Sequence, residues 1–326
     1  MTIRKFSTAS VSTGSKESNI YKNIWDGSVH YLVVGGGGSG GGNHGGGGGA
    51  GGFRTSYETS GANSSAEAKK TLVKNTLYLV TVGLGGERYY GSIAKKGHYG
   101  SSSFFDNIES VGGGGGLNWS QDGSVSLDRG SGSTTGTQST GVANQLFAGG
   151  IAVGAYPGGG GGAGAVGRNG AQDASCTGGY GGSGLASTIT GSTIYYSGGG
   201  GGGGHSPCNG VYGDGGLGGT GGGGAGGRFY GSEASSLPGN DATMNTGGGG
   251  GGSGKNILND TTTRIKNATG STNNYGGAGG SGIVILRWTG QTVLTIKGAL
   301  SYDSIQAVGS DYYIKFTGGT GYVMFS

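Results

Sequence analysis

Glycine comes in blocks in this chain, and the blocks limit what it can fold into. Eight glycine-dominated stretches occupy residues 35–52, 112–116, 158–164, 178–184, 198–204, 213–227, 247–254 and 276–282. Glycine makes up 90 of the 326 residues, about four times its usual share of ~7%. Each glycine inside a helix costs about 1 kcal/mol relative to alanine, which excludes a helical bundle. A collagen triple helix needs glycine at every third position and abundant proline, whereas this chain has 3 prolines and no such period. The usual charged, disordered chain fits poorly too, because charged residues are 11% and the net charge is +4.

What remains is a fold whose interior is backbone. In a polyproline-II-type helix the chain rises about 3.1 Å per residue and turns its polar groups outward. Side-chain-free tracts in that form can approach closely and exchange N–H···O=C bonds in several directions, with Cα–H···O contacts adding a little. The run at 198–204 would span about 22 Å. A packed polyglycine II array between Gly35 and Gly282 is therefore expected. The blocks have no fixed period, so a regular solenoid is not.

Ordinary strands frame the array. Residues 29–34 (VHYLVV) and 283–289 (IVILRWT) are β-branched and aromatic runs bounded by glycine, and are expected to pair with each other. Further strands are expected at 53–57, within 71–82 and 102–111, and at 292–297, 312–317 and 322–325, the last two separated by a GGTG turn at 318–321. Residues 62–70 are either a short helix, from the capping-box spacing of Ser64 and Glu67, or a loop. The expected fold is all-β: a glycine-rich β sandwich with packed polyglycine II tracts, an extended N-terminal arm and a small C-terminal β element. The corresponding boundaries are 1–28, 29–288 and 289–326. Anchors in the arm are Phe6, Val11, Ile20, Tyr21 and Trp25.

Chemistry-bearing patterns are few. Gly35, Gly37 and Gly40 follow a strand in G-x-G-x-x-G spacing, but no helix can open behind them to hold a pyrophosphate. Residues 249–256 resemble a P-loop, with Asn256 where Ser or Thr should meet magnesium. His205 and Cys208 sit at H-x-x-C spacing with Cys176 upstream, yet a structural zinc site needs four ligands, so no metal is expected. His30, His44 and His98 stand alone. Cys176 and Cys208 are either a disulfide, worth about 3–4 kcal/mol for a loop of about 30 residues, or two free thiols. No cofactor and no enzymatic activity are expected. A pI near 8.9 without a basic stripe does not suggest nucleic-acid binding. The start MTIRKFSTAS lacks an apolar signal core, and no apolar run is long enough for a transmembrane helix.

Tyrosine does stand out, at 18 residues. Tyr89, Tyr90, Tyr195, Tyr196, Tyr212, Phe229, Tyr230 and Tyr275 sit in spacers beside glycine blocks. Tyrosine with Ser, Gly and Asn is the composition of binding loops, since the ring gives rigid contact area at low entropy cost. These aromatics are either contact residues or caps on the ends of the tracts.

The stretches VHYLVVGGGGSGGGNHGGGGGAGGFRTS, LYLVTVGLGG, GSSSFFDNIESVGGGGG and GGAGGSGIVILRW resemble the glycine-rich domain of tailed-bacteriophage fibre and adhesin proteins, over roughly residues 29–288. The start MTIRKFSTASVSTGSK is similar to leaders of marine cyanophage structural proteins. The resemblance implies a virion protein, with an N-terminal arm that attaches to other virion proteins. It implies distal loops that contact a host-surface saccharide or outer-membrane protein on a polyglycine II scaffold. A homo-oligomer is compatible with it, and membrane insertion is not expected. Strands at 53–111 and the tail at 289–326 depart from the tip-adhesin layout, so a capsid decoration or tail-assembly role is the alternative.

Overall fold

The computed structural model describes residues 25–88, 96–118, 128–171, 176–205, 213–229, 237–254 and 275–326. Among the described residues the chain is all-β without an α-helix. Residues 62–70 do not form one. A single 3-10 turn at Gly61–Asn63 is followed by loop, because Ala62 and Asn63 take φ of 52° and 55°, a left-handed conformation that cannot propagate a right-handed helix.

The sheet is built from β1 (Ser28–Val34), β2 (Phe53–Thr55), β3 (Lys70–Thr71), β4 (Tyr78–Thr81), β5 (Ser103–Phe105) and β6 (Ile108–Ser110), joined by four late strands. These are β9 (Ile283–Thr289), β10 (Leu294–Tyr302), β11 (Gln306–Val308) and β12 (Asp311–Phe325). A separate hairpin consists of β7 (Leu185–Ser187) and β8 (Ile194–Tyr196). The main path runs β2-β1-β9-β12-β4-β5-β6, with β3 also on β1 and with β10 and β11 on β12. As expected, β1 pairs antiparallel with β9, from His30 opposite Arg287 to Val34 opposite Ile283.

This sheet is a nearly closed antiparallel barrel rather than the expected open layer of a sandwich. The 15-residue β12 explains the curl. Its first half pairs with β9 and its second half with β4. Gly318, Gly319 and Gly321, expected to form a turn, lie inside this strand. Gly319 takes φ +83°, and glycine inside a strand marks a sharp bend at a barrel corner. The C-terminal strands thus complete the main sheet instead of forming a small element apart. The remaining gap lies between β2 and β6. There Gly52 N–H donates to Val111 O at 2.8 Å and the Arg54 guanidinium donates to Glu109 O at 3.1 Å.

Alternation along β1 and β9 sorts side chains into two cores. Val29, Tyr31, Val33, Val284, Leu286 and Trp288 fill the barrel with Trp25, Phe105, Ile314, Phe316 and Phe325. Leu32, Val34, Ile283 and Ile285 face a second cluster with Phe53, Ala163, Ile189 and Tyr196. Burial on both faces is why VHYLVV and IVILRW read as unbroken apolar runs. Trp25 is 2% exposed, stacks on Phe325 at 4.8 Å and donates from Nε1 to Ser28 O at 2.8 Å. Trp25, expected as an attachment anchor, is thus a core residue of the barrel, packed against Phe325.

The glycine tracts are extended, lie outside the strands and bond to one another with a period of three. Along residues 198–204, Gly198, Gly201 and Gly204 donate to the carbonyls of Gly221, Gly224 and Gly227. Gly199 and Gly202 donate to Gly182 and Gly179, and Gly200 and Gly203 to Gly48 and Gly45. Carbonyls of the same run accept from Gly249 and Gly252, from Gly219 and Gly216, and from Gly160. The tract at 198–204 therefore sits among neighbours on every side, some parallel and some antiparallel.

No side chain fits in such packing. A Cβ at Gly200 would fall inside the contact radius of the Gly250 carbonyl oxygen, a backbone atom with nowhere to go. Gly136 has open space around it. Gly200→Ala is expected to cost about 3 kcal/mol or more, at the upper end for overpacking, and Gly136→Ala to stay within about ±0.5 kcal/mol. Denaturant unfolding of the two variants checks this.

A charged seam fastens the barrel gap. Glu67 accepts from Arg54 Nε at 2.9 Å, from Arg54 Nη2 at 2.6 Å and from Tyr31 Oη at 2.9 Å. Burial alone would raise the Glu67 pKa, but the hydrogen bonds from Arg54 and Tyr31 outweigh it and hold the carboxyl below its ordinary value. Burial likewise pushes the Tyr31 hydroxyl up, with the Glu67 charge adding to it. A carboxyl with a lowered folded pKa stabilises fully above its unfolded value, and that contribution disappears as pH falls through the folded value. Glu67→Gln should cost about 1.5–3 kcal/mol at neutral pH, the range for hydrogen bonds to charged groups. The difference from wild type should shrink below about pH 4, as thermal unfolding across pH would register.

Candidate functional site

The tracts have a sheet end and a loop end. Residue 198 comes two residues after Tyr196, which is buried in the second core beside Val34 and Ile283. At about 3.1 Å per residue, Gly204 lies about 19 Å farther on. The other tracts share this register. The chain runs out from β1 along 35–41, turns at Asn43 and His44 with φ of 48° and 39°, and returns along 45–52 to β2. His44 N–H donates to Gly254 O at 3.1 Å, so the far end of the tract at 247–254 meets the same turn.

Three polar and aromatic groups occupy or approach the loop end. In the first, Arg88 lies over the Tyr275 ring at 4.6 Å and pairs with Asp241. Asp241 also accepts from Ala278 N–H at 2.6 Å. In the second, the His44 and His205 rings are 4.6 Å apart, and Tyr156 meets His205 edge-on at 5.9 Å. In the third, Lys96 Nζ donates to Tyr99 Oη at 2.8 Å, and Tyr99 Oη donates to Asp128 at 2.8 Å. Burial lowers the Lys96 pKa, against the pull of Asp128.

The aromatic residues singled out in the sequence separate by location. Tyr275 is half-buried beneath Arg88 at the loop end. Tyr195 is 50% exposed but belongs to β8, at the sheet end. Tyr196 and Phe229 are 3% and 1% exposed, and so drop out as contact residues. β8 alternates, so Tyr195 and Tyr196 face opposite ways, and burial pushes the Tyr196 hydroxyl up to about 12. Phe229 N–H donates to Gly213 O at 2.8 Å, which ties that ring's backbone into the tract packing. Tyr89, Tyr90, Tyr212 and Tyr230 lie outside the described residues, as do Phe6, Val11, Ile20 and Tyr21.

Cys176 is fully buried and disulfide-bonded. The chain's other cysteine, Cys208, lies outside the described residues. No group of three or more His, Cys, Asp or Glu placed to hold a metal occurs among the described residues. The amides of Gly35, Gly37 and Gly40 donate to the carbonyls of Gly52, Gly280 and Gly277 at 2.9–3.0 Å. The motif's backbone donors are thus committed to tract packing, not to a phosphate. His44, which stands alone in sequence, lies against His205. No local signal marks this pair or the Arg88–Asp241 pair, because their partners are 161 and 153 residues apart in sequence.

The tract-and-strand layout has a sequence counterpart. The profile described as a glycine-rich domain matches residues 13–289. The chain belongs to this glycine-rich domain family. The match ends at the last residue of β9, so the glycine-rich domain covers the tracts and the strands that frame them. β10, β11 and β12 follow it, although β12 hydrogen-bonds directly to β9. A search of curated proteins finds no match to the chain.

Proposed function

We propose that this chain is a non-enzymatic virion protein of a tailed bacteriophage, a tail-fibre or tail-tip component that touches the host surface with the loop end of its glycine bundle. The carrying observation is the three-residue bonding period of the tract at 198–204, which we read as polyglycine II packing. Such packing makes a stiff platform without side chains, so recognition falls to the loops it carries, a common division between scaffold and function. The resemblance of the glycine-rich stretches and of the N-terminal leader to phage fibre proteins supplies the virion context.

In this reading the N-terminal arm joins the chain to other virion proteins. The loop end meets a saccharide or outer-membrane protein through rings such as Tyr275, held in place by Arg88. Aromatic residues with a polar edge suit that task. The alternative, capsid decoration or tail assembly, uses the same stiffness as a spacer.

Tyr275→Ala should reduce phage adsorption about fivefold or more, the effect of losing roughly 1 kcal/mol at an interface aromatic. Tyr195→Ala, at the sheet end, should leave adsorption unchanged. Unchanged adsorption for Tyr275→Ala and for alanine at Tyr89, Tyr90, Tyr212 and Tyr230 would sink the adhesive reading. A particle reconstruction with the loop end packed against virion neighbours would favour the alternative.

A further inference from the structure

Two tracts flank a small cleft that the bundle's packing does not use. Arg168, Asn169, Ala171, Thr177, Gly178 and Tyr180 line a volume of about 180 Å³. Typical ligand pockets hold about 300–1,000 Å³, so this one suits a single small ring.

Its walls are fixed by backbone. Arg168 N–H donates to Tyr180 O at 2.8 Å, Gly159 N–H to Arg168 O at 2.9 Å and Ala171 N–H to Thr177 O at 2.9 Å. Gly178 N–H donates to Asp214 O at 2.9 Å. The Asn169 side chain is pinned as well, since its Oδ1 accepts from Ile151 N–H at 3.0 Å and leaves the amide nitrogen as a donor.

The chemistry of the lining is selective. The Arg168 guanidinium makes no hydrogen bond or ion pair within the described residues. Among the described residues it meets the Tyr180 ring, 5.6 Å from the guanidinium carbon to the ring centre. Asp214, whose backbone bridges to Thr177, has its carboxylate paired with Arg228. Tyr180 is 38% exposed. A guanidinium whose fork none of the described residues engages matches a carboxylate in two parallel bonds. An exposed ring offers its electron-rich face to the C–H surface of a sugar.

We propose that this cleft binds a carboxylate-bearing sugar, with Arg168 holding the carboxylate, Tyr180 supporting the ring and Asn169 donating to a hydroxyl. The proposal deepens the host-surface reading, on which it rests, by naming the class of saccharide.

The test is a titration of the full chain with glucuronate and, as the neutral control, glucose, followed by ligand-observed NMR. Glucuronate should bind in the millimolar range and glucose at least about tenfold more weakly. Arg168→Gln should weaken glucuronate about tenfold, Arg168→Lys less because a point charge replaces a fork, and added salt should weaken it as well. Both Arg168 and Tyr180 are exposed, so the variants keep the fold, which circular dichroism checks. Equal binding of the two sugars, or unchanged binding by Arg168→Gln, would overturn the proposal. So would the absence of saturable glucuronate binding up to about 50 mM. Adsorption separates the site from the function. Loss of glucuronate binding in Arg168→Gln with full adsorption keeps the site and rejects its host-surface role. Reduced adsorption by Tyr275→Ala without any glucuronate binding by wild type rejects the site and keeps the adhesive reading.

Discussion

The structure depends on one constraint: a buried peptide group must find a partner, and in the glycine bundle that partner is mostly another peptide group. Regular strands meet this demand in one plane. The tracts meet it around a full turn, with successive residues of 198–204 bonding to different neighbours. The arrangement offsets the large entropy lost when glycine is ordered. It does so only if the tracts approach closely, and close approach is what any side chain would prevent. Low side-chain content and stability are thus the same requirement in this molecule.

The barrel solves a different problem for the same chain. Glycine tracts bury almost no apolar side chain, so hydrophobic stabilisation is concentrated in the strands. The outer face of β1 and β9 carries Leu32, Val34, Ile283 and Ile285 into contact with Phe53, Tyr196 and Ile189, and this second core ties the bundle to the barrel. Val34 leads straight into the first tract and Ile283 follows the last. The same paired strands therefore sit in the middle of the sheet and set the register in which the tracts start.

Much of this was legible in the sequence, where the physics is local. The β-branched runs at 29–34 and 283–289 announced strands, and the glycine blocks announced backbone packing. What escaped were features decided by distant partners. Gly318, Gly319 and Gly321 look like a turn, yet pairing with β10 and β4 keeps them in a strand. Tyr195 and Tyr196 read alike, and only the pairing of β8 with β7 decides which of them is buried. Ser64 and Glu67 have capping-box spacing, but the Glu67 carboxylate is drawn to Arg54 and Tyr31 instead.

The pairing of Val34 with Ile283 has a consequence for how the protein is made. A ribosome releases β1 about 250 residues of synthesis before its neighbour β9 exists. The central tract likewise takes partners from positions as distant as Gly48 and Gly249. Contacts so remote in sequence require loop closure before they contribute, which slows folding. Local hairpins such as β5–β6 and β7–β8 can form early, whereas the β1–β9 seam and the packing around it settle only once the late strands have been made.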